Sequence, residues 1–178
     1  VGSLQKDMRV DLDLDPEPFN LGSMIGSYSL EQALQYTLWL MENPEDEIRA
    51  IGSRLRFSGW LVEAAIASGA LYREMPELLK GKPSEAFAFL NEIPDLALYA
   101  VAAISSEDDN ILILRYLTEW QRVKPFTTGK ELRLRGYKPG PFFSETLEKL
   151  RAAWLDNEVK TSEEEQEMLE KLLAEVKG

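Results

Sequence analysis

The residues with the greatest capacity for chemistry stand between Gln121 and Arg151. Arg122, Lys124, Lys130, Arg133, Arg135, Lys138, Lys149 and Arg151 give eight positive charges there, against three from Glu131, Glu145 and Glu148. That surplus of five sits in a chain whose net charge is −11. A basic stretch on an acidic background is the expected footprint of a surface that neutralises phosphates. In its middle, Pro139-Gly140-Pro141 predicts a rigid turn into a helix. The prolines fix φ, the glycine lets a phosphate backbone approach, and the helix start presents free amides. The competing reading is ordinary: lysines and arginines that solvate helix faces, and a Pro-Gly-Pro helix stop. Tyr137, inside the same loop, is a candidate to stack on a base, with packing as the alternative.

A second arrangement of interest is Asp11-x-Asp13. On a strand this spacing turns two carboxylates to one face, where they can share a pair of metal ions. Too few residues precede it to build a sheet, no third carboxylate strand follows, and Pro16 interrupts at once. It is read as a surface acidic loop. The composition closes other routes. The chain has no Cys, hence no disulfide, thiolate zinc site or cysteine nucleophile. It has no His, hence no histidine general base and no Ser-His-Asp triad. Net acidity excludes a protein coated in positive charge, though not a local basic patch.

Most of the 178 residues read as elements that would hold such a surface. Residues 1–27 form an irregular arm or linker, rich in Asp, Pro, Gly and Ser. From there the signals are helical. Ser29 with Gln32 makes a capping box before Ala33, Leu34, Leu38 and Met41. Pro44 opens a helix carrying Ile48, Ile51 and Leu55, and Ser58 caps one that Met75-Pro76 interrupts. Ser84 caps a short helix, Pro94 starts the Ala-rich one, and Ile111, Leu114 and Leu117 mark the next. Thr128 opens a short helix ending at Gly136, and Pro141 a long one. Ser162 with Glu165 makes a second capping box. The four tryptophans, Trp39, Trp60, Trp120 and Trp154, are read as core. The fold class is all-α: a compact array of about eight or nine helices over residues 28–178, with Gly81–Pro83 the best candidate for a lobe boundary. The longest near-apolar run, Leu96–Ser106, is far short of the roughly 20 residues of a membrane helix. A cytoplasmic protein without a membrane partner is expected.

Between Thr127 and Lys177 the order of motifs is distinctive. Thr128-Gly129-Lys130-Glu131-Leu132 is followed by Gly136-Tyr137-Lys138-Pro139-Gly140-Pro141, a helix, and Asp156-Asn157-Glu158-Val159-Lys160-Thr161. This resembles the C-terminal tail of bacterial tRNA nucleotidyltransferases, the CCA-adding enzyme and poly(A) polymerase family. A weaker likeness through Arg54-Leu55-Arg56-Phe57-Ser58 and Pro83-Ser84-Glu85 extends it to about residues 45–178. The resemblance implies a tRNA-binding body and tail that grips the elbow and acceptor arm, delivering the 3′ end to a catalytic head of the same polypeptide. That head, with its magnesium ions, is not in this chain, so the chain alone is expected to be inactive, without a cofactor or a catalytic residue. The same resemblance points to Lys130, Arg133, Arg135, Lys138, Gly140, Lys149 and Arg151 as the RNA-binding set. Glu45-Asp46-Glu47-Ile48-Arg49 is similar to the family's Glu-Asp-x-x-Arg signature, which implies nucleotide reading by Asp46 and Arg49. The alternative for those two is complementing a helix dipole. The alternative for the chain is a helical protein–protein interaction module of the same ancestry that binds no RNA.

Overall fold

The computed structural model describes residues 14–175. Asp11 and Asp13 lie outside the described residues. A 3-10 turn (Glu17–Phe19) leads to a two-residue ladder, β1 (Met24–Ile25) antiparallel to β2 (Tyr28–Ser29), with Met24 opposite Ser29 and Ile25 opposite Tyr28. Nine α-helices follow among the described residues: α1 (Leu30–Leu40), α2 (Glu45–Leu55), α3 (Gly59–Leu78), α4 (Pro83–Asn91), α5 (Asp95–Ile104), α6 (Glu107–Thr118), α7 (Gly129–Leu134), α8 (Pro141–Leu155) and α9 (Ser162–Glu175). The all-α class is the architecture observed.

Local chemistry sets several helix starts. Ser29 Oγ accepts from Gln32 N at 3.2 Å, and the Gln32 side chain accepts from Ser29 N at 3.0 Å. Ser106 Oγ accepts from Asp109 N at 3.2 Å to start α6. Glu45, Asp46 and Glu47 occupy the first turn of α2, where the helix dipole favours negative charge.

At the centre lies α5, buried from Leu96 to Ile104 and packed against α1, α3 and α6. Ala97, Ala100, Ala102 and Ala103 keep it slim enough for neighbours to close on every side. Residues of the N-terminal arm join this core. Phe19 is 1% exposed and meets Tyr99 edge-on at 5.2 Å, and the Tyr99 hydroxyl donates to the Leu14 carbonyl at 2.8 Å. Burial of one phenyl ring contributes about 2 kcal/mol, enough to dock so short a segment. The core also runs across the Gly81–Pro83 turn, since Leu71 and Met75 of α3 share one cluster with Ala86, Phe87 and Leu90 of α4. A separate small core, Leu132, Phe143, Leu150, Leu169 and Leu173, belongs to α7, α8 and α9.

Several sequence expectations are corrected. Pro76 lies inside α3 and does not interrupt it. A proline deprives only the carbonyl four residues earlier, here of Tyr72, and that residue is exposed. Ser84 caps nothing: its N–H and hydroxyl donate to Asp156 at 2.9 and 2.8 Å. Trp39 and Trp60 are surface residues, and Trp154 is half-buried; of the four tryptophans only Trp120 belongs to the core. Leu55, Ile111 and Leu114 are exposed as well. In α6 four consecutive apolar residues offered two competing faces, and Leu112, Ile113, Tyr116 and Leu117 are those that face inward.

Helix α3 passes close to the end of α1 at Gly69. A Cβ there would stand 2.5 Å from the Met41 carbonyl oxygen, which is backbone and has little freedom to withdraw. Gly69→Ala is expected to lose roughly 1–3 kcal/mol through overpacking. Gly59→Ala, whose Cβ meets nothing within 4 Å, should melt at or slightly above the parent. Thermal denaturation followed by circular dichroism checks both, and an unchanged Gly69→Ala melt would contradict the close approach.

Candidate nucleic-acid interface

The Thr127–Arg151 stretch folds as a short helix, an open loop and a long helix. Thr128 Oγ1 accepts from Glu131 N at 3.4 Å and starts α7. Leu132 anchors α7 in the small core at 0% exposure. Gly136 then takes φ +89°, a value that favours glycine, and ends the helix. Lys138, Pro139 and Gly140 are exposed. Gly140 has φ 171°, extended backbone that any residue adopts, and a Cβ there would meet nothing within 4 Å. No neighbour within the chain requires a glycine at this position.

The seven residues expected to bind RNA are distributed over α7, its following loop and α8. Lys130 and Arg133 are exposed on α7, and Lys138 is exposed in the loop. None of the three forms an ion pair with any described residue. Lys149 and Arg151 lie instead along an open groove of about 510 Å³ between α4 and α8, floored by Phe87, Ala88 and Ala152. The Arg151 guanidinium stacks over the Phe87 ring at 5.3 Å. Arg135 is committed within the protein: it binds Glu170 of α9, Glu131 at 3.1 Å and the Gln166 side-chain oxygen at 2.6 Å. Its pKa is raised, chiefly by the Glu170 hydrogen bond and then, against the cost of burial, by Glu131. Arg135 therefore ties α7 to α9. Tyr137 packs at 5.5 Å against Phe142 beside the small core, so its ring has a structural place.

Helix α9 carries the group that organises this end of the molecule. Glu165 is 0% exposed. Its carboxylate accepts from Phe126 N at 2.9 Å, Thr127 N at 2.6 Å and Trp154 Nε1 at 2.6 Å. Burial pushes its pKa upward, but the hydrogen bonds from Thr127, Phe126 and Trp154 outweigh that, and the carboxyl is held below its usual range. The capping box expected of Ser162 and Glu165 is thus not formed. Capping falls one residue earlier, where Thr161 Oγ1 accepts from Glu164 N at 3.2 Å and Glu164 accepts from Lys160 N at 2.6 Å. Sequence reasoning missed Glu165 as a clamp because its backbone partners lie 38 and 39 residues away. It also passed over Phe126, an aromatic in the Pro125–Thr128 loop that is 65% exposed. Its position inside the basic stretch was the available signal.

Asp46 and Arg49 do not pair. Asp46 is exposed in the first turn of α2. The Arg49 guanidinium binds Glu45 at 2.8 Å and Glu63 of α3 at 2.6 Å, which joins the two helices. These bonds, Glu63 first and Glu45 next, raise its pKa. Both side chains are exposed on α2. Among the described residues no three carboxylates gather as a metal site, and no single helix is long and apolar enough to cross a membrane. Comparison of the chain with protein-family models, curated proteins and solved structures finds no match.

The clamp has a testable pH signature. Glu165→Ala would leave buried donors without an acceptor and should cost roughly 3 kcal/mol. Glu165→Gln should cost less at neutral pH. Because the folded pKa is lowered, the carboxylate's contribution is complete above the unfolded value of about 4.3 and disappears as pH falls through the folded value. The stability gap between parent and Glu165→Gln should therefore narrow across that acid window. Urea unfolding at a series of pH values measures it; a gap independent of pH would show that the charge is not what the clamp uses.

Proposed function

We propose that this chain is the tRNA-binding C-terminal region of a tRNA nucleotidyltransferase or poly(A) polymerase, which positions the tRNA 3′ end for a catalytic head domain of the same polypeptide in the cytoplasm. The observation that carries the reading is the cationic surface of α7 and its following loop. Lys130, Arg133 and Lys138 are exposed and form no ion pair among the described residues, although the chain as a whole is strongly acidic. In this reading they are available to an external polyanion, and Gly140 lies in the same loop as Lys138 with open space where a side chain would be. The ordered motifs from Thr128 to Thr161, similar to that family's tail, supply the class of polyanion. Magnesium and nucleotidyl transfer belong, in this reading, to the head.

A second reading, a helical protein-interaction module of the same ancestry, is favoured by a different observation. Met24, Trp39, Leu55, Trp60 and Tyr72 all expose apolar or aromatic surface on the β1, α1, α2 and α3 segments.

A salt titration of tRNA binding separates the two. Binding should be modest and fall steeply with salt. Removing one phosphate-neutralising cation, in Lys130→Ala or Lys138→Ala, should reduce the magnitude of the salt slope by roughly 1. Many tRNAs should be affected alike, since phosphates carry no sequence information. Both variants should melt near the parent, whereas Arg135→Ala should lose stability because it breaks the α7–α9 link. If the folded parent binds no tRNA at low salt, the interaction-module reading replaces the first.

A further inference from the structure

Phe126 is the large aromatic that the basic stretch leaves most open, and it is unusually well held. Its ring is 65% exposed. Its own N–H and that of Thr127 are both fixed by the buried Glu165 carboxylate. Trp154 meets the ring at 5.6 Å with an interplanar angle of 61°, an edge contact. In either sense of such a contact the indole leaves at least one face of the phenyl uncovered. The indole is itself anchored, since its Nε1 donates to the same carboxylate at 2.6 Å. The clamp fixes the two backbone amides beside the ring, so this exposed aromatic is held in one place. Lys124 precedes it, Lys130 follows it, and both are exposed.

We infer that Phe126 is a stacking platform for an unpaired nucleobase, the phosphates on either side being met by Lys124 and Lys130. This deepens the RNA-binding reading and rests on it. A rigid aromatic flanked by cations is the arrangement by which single-stranded or looped nucleic acid is held. The charge complementarity is local. The Glu165 carboxylate is turned inward onto its three donors, and the Arg135–Glu170 pair neutralises part of the acidic α9 surface.

The test is binding of a fluorescent single-stranded RNA octamer, a tRNA and a blunt RNA duplex to the full chain. Phe126→Ala should weaken octamer and tRNA binding by roughly 5- to 100-fold, the effect of losing one base–aromatic stack. The salt slope should stay unchanged, because no phosphate contact is lost. Duplex binding should not change either. Phe126→Tyr and Phe126→Trp should restore affinity, while Phe126→Leu, apolar but without a π face, should not. Leu134→Ala, removing another exposed apolar side chain of the same stretch, should bind as the parent does. The Glu165 clamp lies in the backbone, so every Phe126 variant should keep its helical circular dichroism. A parent that binds RNA while Phe126→Ala or Phe126→Leu binds equally well overturns the platform and leaves the RNA-binding reading standing. A folded parent that binds none of the three RNAs overturns both.

Discussion

A helix with no solvent face constrains everything placed around it, and α5 is such a helix. All its residues from Leu96 to Ile104 are buried, so none can be charged and none can turn to water. Its alanines admit α1 and α3 closely, and its larger residues fill the space toward α6 and the 3-10 turn at Glu17–Phe19. The one hydroxyl it buries, on Tyr99, needs an acceptor. The carbonyl of Leu14 supplies it. That bond, with the buried Phe19 ring, connects the deepest part of the core to the segment ahead of α1.

The α7–α9 end is governed differently. Its core is small, five buried side chains with a fringe of partly buried ones. A cluster of that size specifies geometry weakly, and polar groups supply the rest. Glu165 holds the loop before α7 and the indole of α8 in one relation, and Arg135 ties α7 to α9 through Glu170 and Gln166. The arginine that looked most central to a phosphate surface is thereby a structural bridge. Lys130, Arg133 and Lys138 of α7 and its loop face outward, and Lys149 and Arg151 line the α4 groove.

What the sequence disclosed and what it hid divide along one physical line. Features settled within a few residues were legible: the Ser29–Gln32 box, the Thr128 cap, the Gly136 stop and the helical class itself. Features settled across the fold were not. Ser84 looked like a cap because its local spacing allowed it, but its partner Asp156 is 72 residues away. Glu165 occupied the right position in a capping box and was drawn instead into a buried site by three donors. Asp46 and Arg49 shared a helix face, yet Glu63 on the adjacent helix competed for the guanidinium. Trp39 and Trp60 show the same limit from the other side: size and apolar neighbours along the chain did not determine burial once α5 had claimed the interior. For the candidate site, the basic stretch was visible as composition, but its division between outward cations and an internal bridge depended on α9.

The Ser84–Asp156 link has a consequence for the order in which the chain assembles. The small core and the Glu165 clamp close over segments of about 40 residues. Joining them to the helical body depends on contacts that span much more chain: Asp156 with Ser84, and Glu158 with Lys82, 76 residues apart. Loop length separates the two sets only slightly, since each doubling costs about 0.6 kcal/mol. The C-terminal segment is thus placed to assemble with the body rather than ahead of it, since Leu155 of α8 lies in the main core beside the links to the start of α4. An opening that exposes its backbone amides to solvent would therefore also withdraw Leu155 from the α5-centred core.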